Sequence, residues 1–556
     1  MRKKWMRLCA LAMGIVMTLT GCGGAPIVDV PSESSATDAA SSVSSESGDS
    51  SSTVETTAGG DKVVTVAIEK AWDSMMPLNT NNNYSRVVYD QVYDRLTMSN
   101  ADGTFTPRLA ESWTVNEDSS AITFKLVENA TWHDGEPFTA EDVVFSFQMY
   151  SDPEVEALSR YHLQYIDGVD ESGVELSEDS INVVANGDYE VTFTFKSPMF
   201  PDTFLSDIDT VFIIPKHIFE GKTAEEINSP DLWANPVGTG PFKYASEISG
   251  ERMEFVKNED YFQGAPDIDR LVLRVVDSSS LLAGMMSGEV DINVIGSIPL
   301  QDWDMAQEQE NLVTESVPTT SYSTMIINMS QLYMTEKVRQ AFSMAVNRQV
   351  LVDSLLKGEG QQIVTPIAPI SPYFNENIEV WYDPEKAKTM LEEENFPFDE
   401  ELVLVTSSGA DSERTASLIQ QDLQKLGVTV RIQQFDFAAL MDYMREGDFD
   451  FGMIGSGGTM DPSESREMIA PGSSVNFAHV PDDTLASLID QGNAQLTFEA
   501  RKPYFDEYQE KIMEISPMAY LYTKNNLLAY NKRLSNVNTE NFSCLNLSTW
   551  TWKVAE

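Results

Sequence analysis

The chain has 556 residues, with 87 Asp and Glu against 37 Lys and Arg, for a formal net charge of -50. Such a surface excludes a nucleic-acid partner, because every phosphate would be repelled; it favours solubility. Three cysteines and four histidines leave no disulfide framework, no Cys-based metal site and no local zinc spacing.

The first residues read as an export signal. Arg2, Lys3, Lys4 and Arg7 form a positive start, and the apolar run from Leu8 to Leu19 is too short for the roughly 20 residues of a membrane-spanning helix. Leu19-Thr20-Gly21-Cys22 reads as a bacterial lipobox, with residues 1–21 as the signal peptide and the Cys22 thiol as the lipid acceptor. Acylated Cys22 predicts an extracytoplasmic chain anchored to the cell membrane. Residues 22–60 are dominated by Ser, Thr, Ala and Gly, too polar to offset the entropy of ordering them, and are expected to form a tether. The body from Asp61 onward is too long for one simple core, so two lobes are expected.

The body opens on Val63 to Ile68, a β-branched run suited to a buried strand. A polar loop from Asp73 to Asn83 precedes a helical stretch near Val87 to Leu96. Strand patterns follow at Ala121–Val127 and Glu190–Phe195. Thr335 to Lys357 reads as one amphipathic helix stopped by Gly358, and Arg414 to Leu426 as another closed by Gly427. Strand Val428–Ile432, helix Ala438–Glu446 and strand Phe449–Ile454 then suggest a parallel α/β layer. Ligands on such sheets collect at the carboxyl ends of the strands, here Gly455 to Pro462.

No local motif points to an enzyme. His133, His162, His217 and His479 are scattered, and neither Gly-x-Ser-x-Gly nor Cys-x-x-Cys occurs. The Gly455–Gly458 run lacks the Lys-Ser/Thr ending of a phosphate loop. His133 has no second ligand nearby and reads as structural, and Asp267 with Asp269 reads as a turn with solvated charge. Thr139 is a fitting N-cap, with Glu141 and Asp142 in the first helical turn. Neither a cofactor nor a catalytic residue is expected.

Several segments occur in an informative order. Pro107-Arg108-Leu109-Ala110-Glu111-Ser112-Trp113 leads to Trp132-His133-Asp134-Gly135 and on to Ala140-Glu141-Asp142-Val143-Val144-Phe145. Pro236-Val237-Gly238-Thr239-Gly240-Pro241-Phe242 and Asn258-Glu259-Asp260-Tyr261-Phe262 follow. After them come Gly288-Glu289-Val290-Asp291-Ile292, Val338-Arg339-Gln340-Ala341 and Tyr382-Asp383-Pro384-Glu385-Lys386-Ala387. Together they resemble the family 5 extracellular solute-binding proteins of ABC importers, which include dipeptide, oligopeptide and nickel binders.

The resemblance implies an α/β fold of the two-lobed periplasmic-binding-protein type (type II), with an extra subdomain in the first lobe. By family order the first lobe is 61–318 plus 523–556, its subdomain falls at about 95–235, and the second lobe is 319–522. Chain crossings are expected near Pro318–Tyr322 and Tyr522–Asn525. The implied activity is ligand capture by hinge closure, with an ABC permease and ATPase as partners and no catalysis. Dipeptide binders of the family hold the ligand carboxylate with an Arg, where this chain has Thr406-Ser407-Ser408. They pair the ligand amine with an Asp, where it has Ser456-Gly457-Gly458-Thr459. An unpartnered buried ammonium or carboxylate costs several kcal/mol, so the standard dipeptide mode fits poorly. A longer peptide held through its backbone, a metal chelate, another small solute, and peptide sensing without transport remain open. The candidate ligand contacts are Asn81, Tyr84, Tyr322, Ser408, Phe437, Ser456, Gly457, Thr459 and Asp461.

Overall fold

The computed structural model describes residues 61–79, 82–539 and 545–555. The export segment, Cys22, the Ser-rich tether, Asn81 and Cys544 lie outside the described residues.

The opening strand is Val63–Ile68. It pairs in parallel with Arg270–Val275 on one side and Ile292–Asn293 on the other. A strand paired in parallel on both edges is characteristically covered on both faces. Val64, Val66 and Ile68 accordingly enter one apolar core and Ala67 another. Arg252–Lys257 and Phe242–Ile248 continue the sheet outward in antiparallel pairing.

On the inner side the sheet passes into a second lobe through two long antiparallel strands, Leu312–Ile327 and Met518–Asn531. Their register slips between Pro318 and Tyr322 and again between Ser323 and Thr324, next to a proline that has no N–H to donate. Beyond them lie Phe451–Ser456, Glu401–Ser407 and Thr429–Phe435, the last three mutually parallel in their pairings. With Gly360–Gln362, which pairs alongside Met518–Asn531, these strands form one eleven-stranded mixed sheet that runs through both lobes.

The first lobe carries a separate four-stranded antiparallel sheet of Ala110–Val115, Ala121–Leu126, Glu190–Thr194 and Val183–Ala185. Phe124 and Phe193 pack edge to face at 5.5 Å on its inner side and join the main core of that lobe. Helix Ala140–Ser151 lies against it. Its start is fixed by Thr139, whose backbone N–H donates to Asp142 Oδ2 at 2.9 Å.

In the second lobe alternate residues of one strand face opposite cores. Leu404 packs with helices Glu336–Ala345, Arg348–Leu355 and Ala410–Lys425, and Val405 with helices Phe437–Glu446, Thr484–Asn493 and Phe498–Ile515. The single helix expected over 335–357 is two, because Asn347 interrupts it. The Asn347 side chain accepts from Val350 N–H and its own N–H donates to Asp422 Oδ2, so the backbone turns to start a new helix. Among the described residues no helix is long and apolar enough to cross a membrane.

Candidate functional site

The carboxyl ends of the three parallel strands in the second lobe bring Ser408, Phe437 and the loop from Ser456 to Asp461 to one edge. Ser408 stands just past its strand, where both its N–H and its Oγ donate to the Phe435 carbonyl at 2.8 and 3.1 Å. Phe437 opens the following helix and leaves 46% of its surface in solvent. A large apolar ring this exposed at a strand end is available to a ligand.

The glycine loop is held tightly to the first crossing strand. A Cβ on Gly458 would sit 2.3 Å from the Thr320 carbonyl oxygen, so only glycine fits there. The Thr320 hydroxyl in turn donates to the Gly458 carbonyl. Thr459 Oγ1 donates to the Asp461 carbonyl at 2.6 Å, closing the turn. Ser456 lies opposite Tyr322 in the sheet register.

Tyr322 is 6% exposed and turns into the second lobe's core. Its ring meets Tyr520 edge to face at 5.6 Å, its hydroxyl lies 3.4 Å from Met468 Sδ, and burial pushes its pKa up to about 12. Asp461 is already engaged. Arg501 Nη1 reaches its Oδ2 at 2.6 Å and Arg501 Nη2 its Oδ1 at 3.2 Å. Ser463 N–H adds a further bond to Oδ1 at 2.9 Å.

Tyr84 belongs to the first lobe, on helix Asn83–Val92. Its hydroxyl lies 3.5 Å from Glu69 Oε2, just past the opening strand, and burial followed by the Glu69 charge raises its pKa to about 12. The proton therefore stays on the phenol at physiological pH. Asn81 lies outside the described residues.

The model of the bacterial extracellular solute-binding proteins, family 5 Middle, matches residues 104–477. The chain belongs to this family. It is 27% identical over 562 residues to the oligopeptide-binding protein AppA of Bacillus subtilis (strain 168), covering 96% of each chain. It is 28% identical to the nickel-binding periplasmic protein of Escherichia coli (strain K12), over 70% of this chain and 74% of that one. In fold it resembles the crystal structure of the ABC transporter substrate binding protein CtaP from Listeria monocytogenes. That likeness has a TM-score of 0.76 at 23% identity, over 89% of this chain and 100% of the other.

In this solute-binding protein the lobes also meet beside the crossing strands. Lys357 Nζ pairs with Asp304 at 2.8 Å, and Trp303 Nε1 donates to Glu359 at 2.8 Å. A cavity of about 270 Å³ lies there, lined by Pro299 and Leu300 on one side and Leu355, Asp411 and Thr415 on the other. A larger cavity, about 480 Å³, is lined by Arg445 and the 471–481 loop alone. It lies at the far end of the helix that begins with Phe437, within a single lobe, and is not part of the cleft edge.

Most of the motifs that carry the family resemblance lie in the first lobe, those at 338–341 and 382–387 lie on or lead into second-lobe helices Glu336–Ala345 and Pro384–Glu393, and none lies at this edge. Arg108 Nε and Nη2 bond Asp94 at 2.8 and 3.1 Å, with Tyr261 donating to the same carboxylate at 3.0 Å. His133 Nε2 lies 3.0 Å from the Gly240 carbonyl, while Gly238 N–H donates to its Nδ1 at 3.3 Å. Its pKa is lowered to about 4, first by burial. Asp267 and Asp269 pair with Lys62 and Lys257. Arg501 is the site residue that sequence reasoning missed. Its only local signal is a guanidinium beside Lys502 and among Phe498, Tyr504 and Phe505, whereas its carboxylate partner lies 40 residues earlier.

Proposed function

We propose that this chain is the lipid-anchored substrate-binding subunit of an ABC importer, capturing a peptide or similar small solute and delivering it to the membrane permease. The observation that carries this reading is a pair of lobes joined by two crossing strands, with strand ends, a glycine loop and an exposed aromatic ring gathered at one edge. In that reading 61–318 plus 523–556 close against 319–522. A ligand touching both lobes stabilises the closed form by its differential affinity for that form, and the permease recognises it. No step requires bond making by the chain. Cys22 carries the lipid that holds the protein at the cell surface.

Among ligand classes, an extended peptide is favoured. The loop Ser456–Asp461 presents mostly backbone groups, and the one carboxylate it contains is taken by Arg501. An ammonium group would find no free carboxylate in that loop, whereas a peptide backbone pairs with backbone N–H and carbonyl groups and needs no counter-charge. The relative that matches along 96% of this chain is named for oligopeptide binding, which supports the same choice. Tyr84, Ser408, Phe437, Ser456, Gly457 and Thr459 are the proposed contacts, Phe437 as an aromatic wall.

Native mass spectrometry of protein purified without refolding tests the assignment. A ladder of bound peptide masses is expected. A single metal-chelate mass, or another non-peptide solute, would replace the peptide reading. Turnover of a peptide library by the purified protein would overturn the non-enzymatic one.

A further inference from the structure

Arg501 does more than neutralise Asp461. Its side chain is 1% exposed. Beyond the two bonds to Asp461 it donates to Tyr373 Oη at 3.0 Å, Ser463 Oγ at 3.1 Å and Asn493 Oδ1 at 3.0 Å. All of these partners belong to the second lobe. Its guanidinium plane, however, is also covered from the first lobe, where the Phe200 ring lies 4.5 Å from the central carbon. Tyr373 and Phe505 flank it at 5.3 Å each.

Phe200 immediately precedes helix Pro201–Ile208 of the first lobe. It is 8% exposed, yet it stands outside the apolar core that its neighbours Phe204 and Leu205 enter. The Arg501 guanidinium of the other lobe is among the groups that cover its ring. The surrounding groups show the same approach. Asp202 and Asp207, both of that helix, have pKa values raised first by burial and also by the Asp461 charge across the seam, with Arg501 opposing the rise at Asp202 and His162 opposing it at Asp207.

Because Asp461 follows the glycine loop at the carboxyl edge of the second lobe's sheet, this contact sits at the mouth of the cleft. Parting the lobes would strip Phe200 from the guanidinium and let water reach it. The pair with Asp461 would remain, since both partners move together. A cation under an aromatic face gains most when the site is desolvated, so the contact favours the approached lobes over the parted ones.

We propose that Arg501 is a positioning residue for ligand capture, fixing the cleft loop through Asp461 and holding the lobes together through the ring of Phe200. This rests on the capture reading above. It adds that closure is biased by a protein–protein contact at the rim as well as by ligand.

Hydrogen–deuterium exchange of the ligand-free full chain reads the contact directly, in the parent and in Phe200→Ala, Phe200→Leu and Phe200→Tyr. Phe200→Ala is expected to speed exchange roughly tenfold in 459–468 and 200–208, leaving the four-stranded sheet of the first lobe unchanged. Phe200→Tyr, which keeps the ring, should match the parent, and Phe200→Leu, which keeps only apolar bulk, should resemble Phe200→Ala. Unchanged exchange in both segments, or parent-like behaviour of Phe200→Leu, would overturn the proposal. If Phe200→Ala does not fold, the contrast of Leu with Tyr decides it alone. No ligand enters this measurement, so its failure is distinct from a failure to find peptide by mass spectrometry.

Discussion

The motif cluster of the first lobe and the cleft edge of the second are built on opposite plans. The first is a buried polar network: Arg108, Asp94 and Tyr261 are each bonded to the other two, and the Arg108 guanidinium stacks on Trp550 at 4.0 Å. Side-chain identity is everything there, because each member of the network is bonded by the other two in a dry setting. The cleft edge is made of glycine, serine and threonine whose backbone is positioned by distant groups such as Arg501 and Thr320. A sequence signature thus marks where the fold is least forgiving, while ligand choice is written in small residues that have almost no signature.

The contrast is broken most severely at Arg108. Arg108→Ala leaves the Asp94 carboxylate buried without its cation, and removing one partner of such a pair costs about 3–5 kcal/mol. Denaturant unfolding should show a loss of that size, while the ligand affinity of the molecules that remain folded should stay near the parent value. A glycine in each region gives the next largest pair of effects. A Cβ at Gly238 would come within 1.8 Å of the Val92 carbonyl oxygen, and one at Gly458 within 2.3 Å of the Thr320 oxygen. Gly238→Ala should destabilise by about 3 kcal/mol, as overpacking against fixed backbone does. Gly458→Ala should instead shift the cleft loop, weakening binding of the copurified ligand about tenfold in a competition assay with a smaller change in stability.

How much of this was legible follows the same division. The opening strand was readable to the residue because Val63 to Ile68 is apolar and β-branched between polar flanks. The loop at Gly455 was placed by a rule about strand ends that needs only periodicity. The break at Asn347 was not readable, since its backbone N–H is taken up by a bond to the Asp422 carboxylate, far along the chain. Tyr322 was expected to face a ligand and packs on Tyr520 with 6% of its surface exposed, a tertiary contact that a strand's alternation does not announce. Arg501 escaped for a related reason, since a buried cation is recognised by a partner that only tertiary structure supplies.

Acid sharpens the comparison from the first-lobe side. His133 is held neutral by burial, which outweighs the opposing hydrogen bond to the Gly240 carbonyl, with a pKa lowered to about 4 in the fold, against about 6.5 in an unfolded chain. The unfolded state therefore binds more protons between these values, and stability falls as pH drops from about 6.5 to about 4. After allowance for the ring's partial exposure the loss is about 2 kcal/mol. Thermal melts across that range should show it, and His133→Gln should flatten the slope.

The smallest expected effect on stability lies at Phe437, where the cleft's plan is put to its plainest test. Nearly half its surface is in solvent, so Phe437→Ala removes little burial and should alter unfolding by no more than about 0.5 kcal/mol. If the ring is a wall of the binding site, the same change removes an aromatic contact from the bound ligand. Such contacts contribute about 0.5–1.5 kcal/mol, so titration calorimetry with the ligand identified by mass spectrometry should show affinity reduced several-fold. An affinity equal to the parent's would move the ligand away from this corner, toward the cavity beside Leu355 and Asp411. The two outcomes separate cleanly because folding barely depends on the residue, a separation that the tightly bonded interior around Arg108 does not permit.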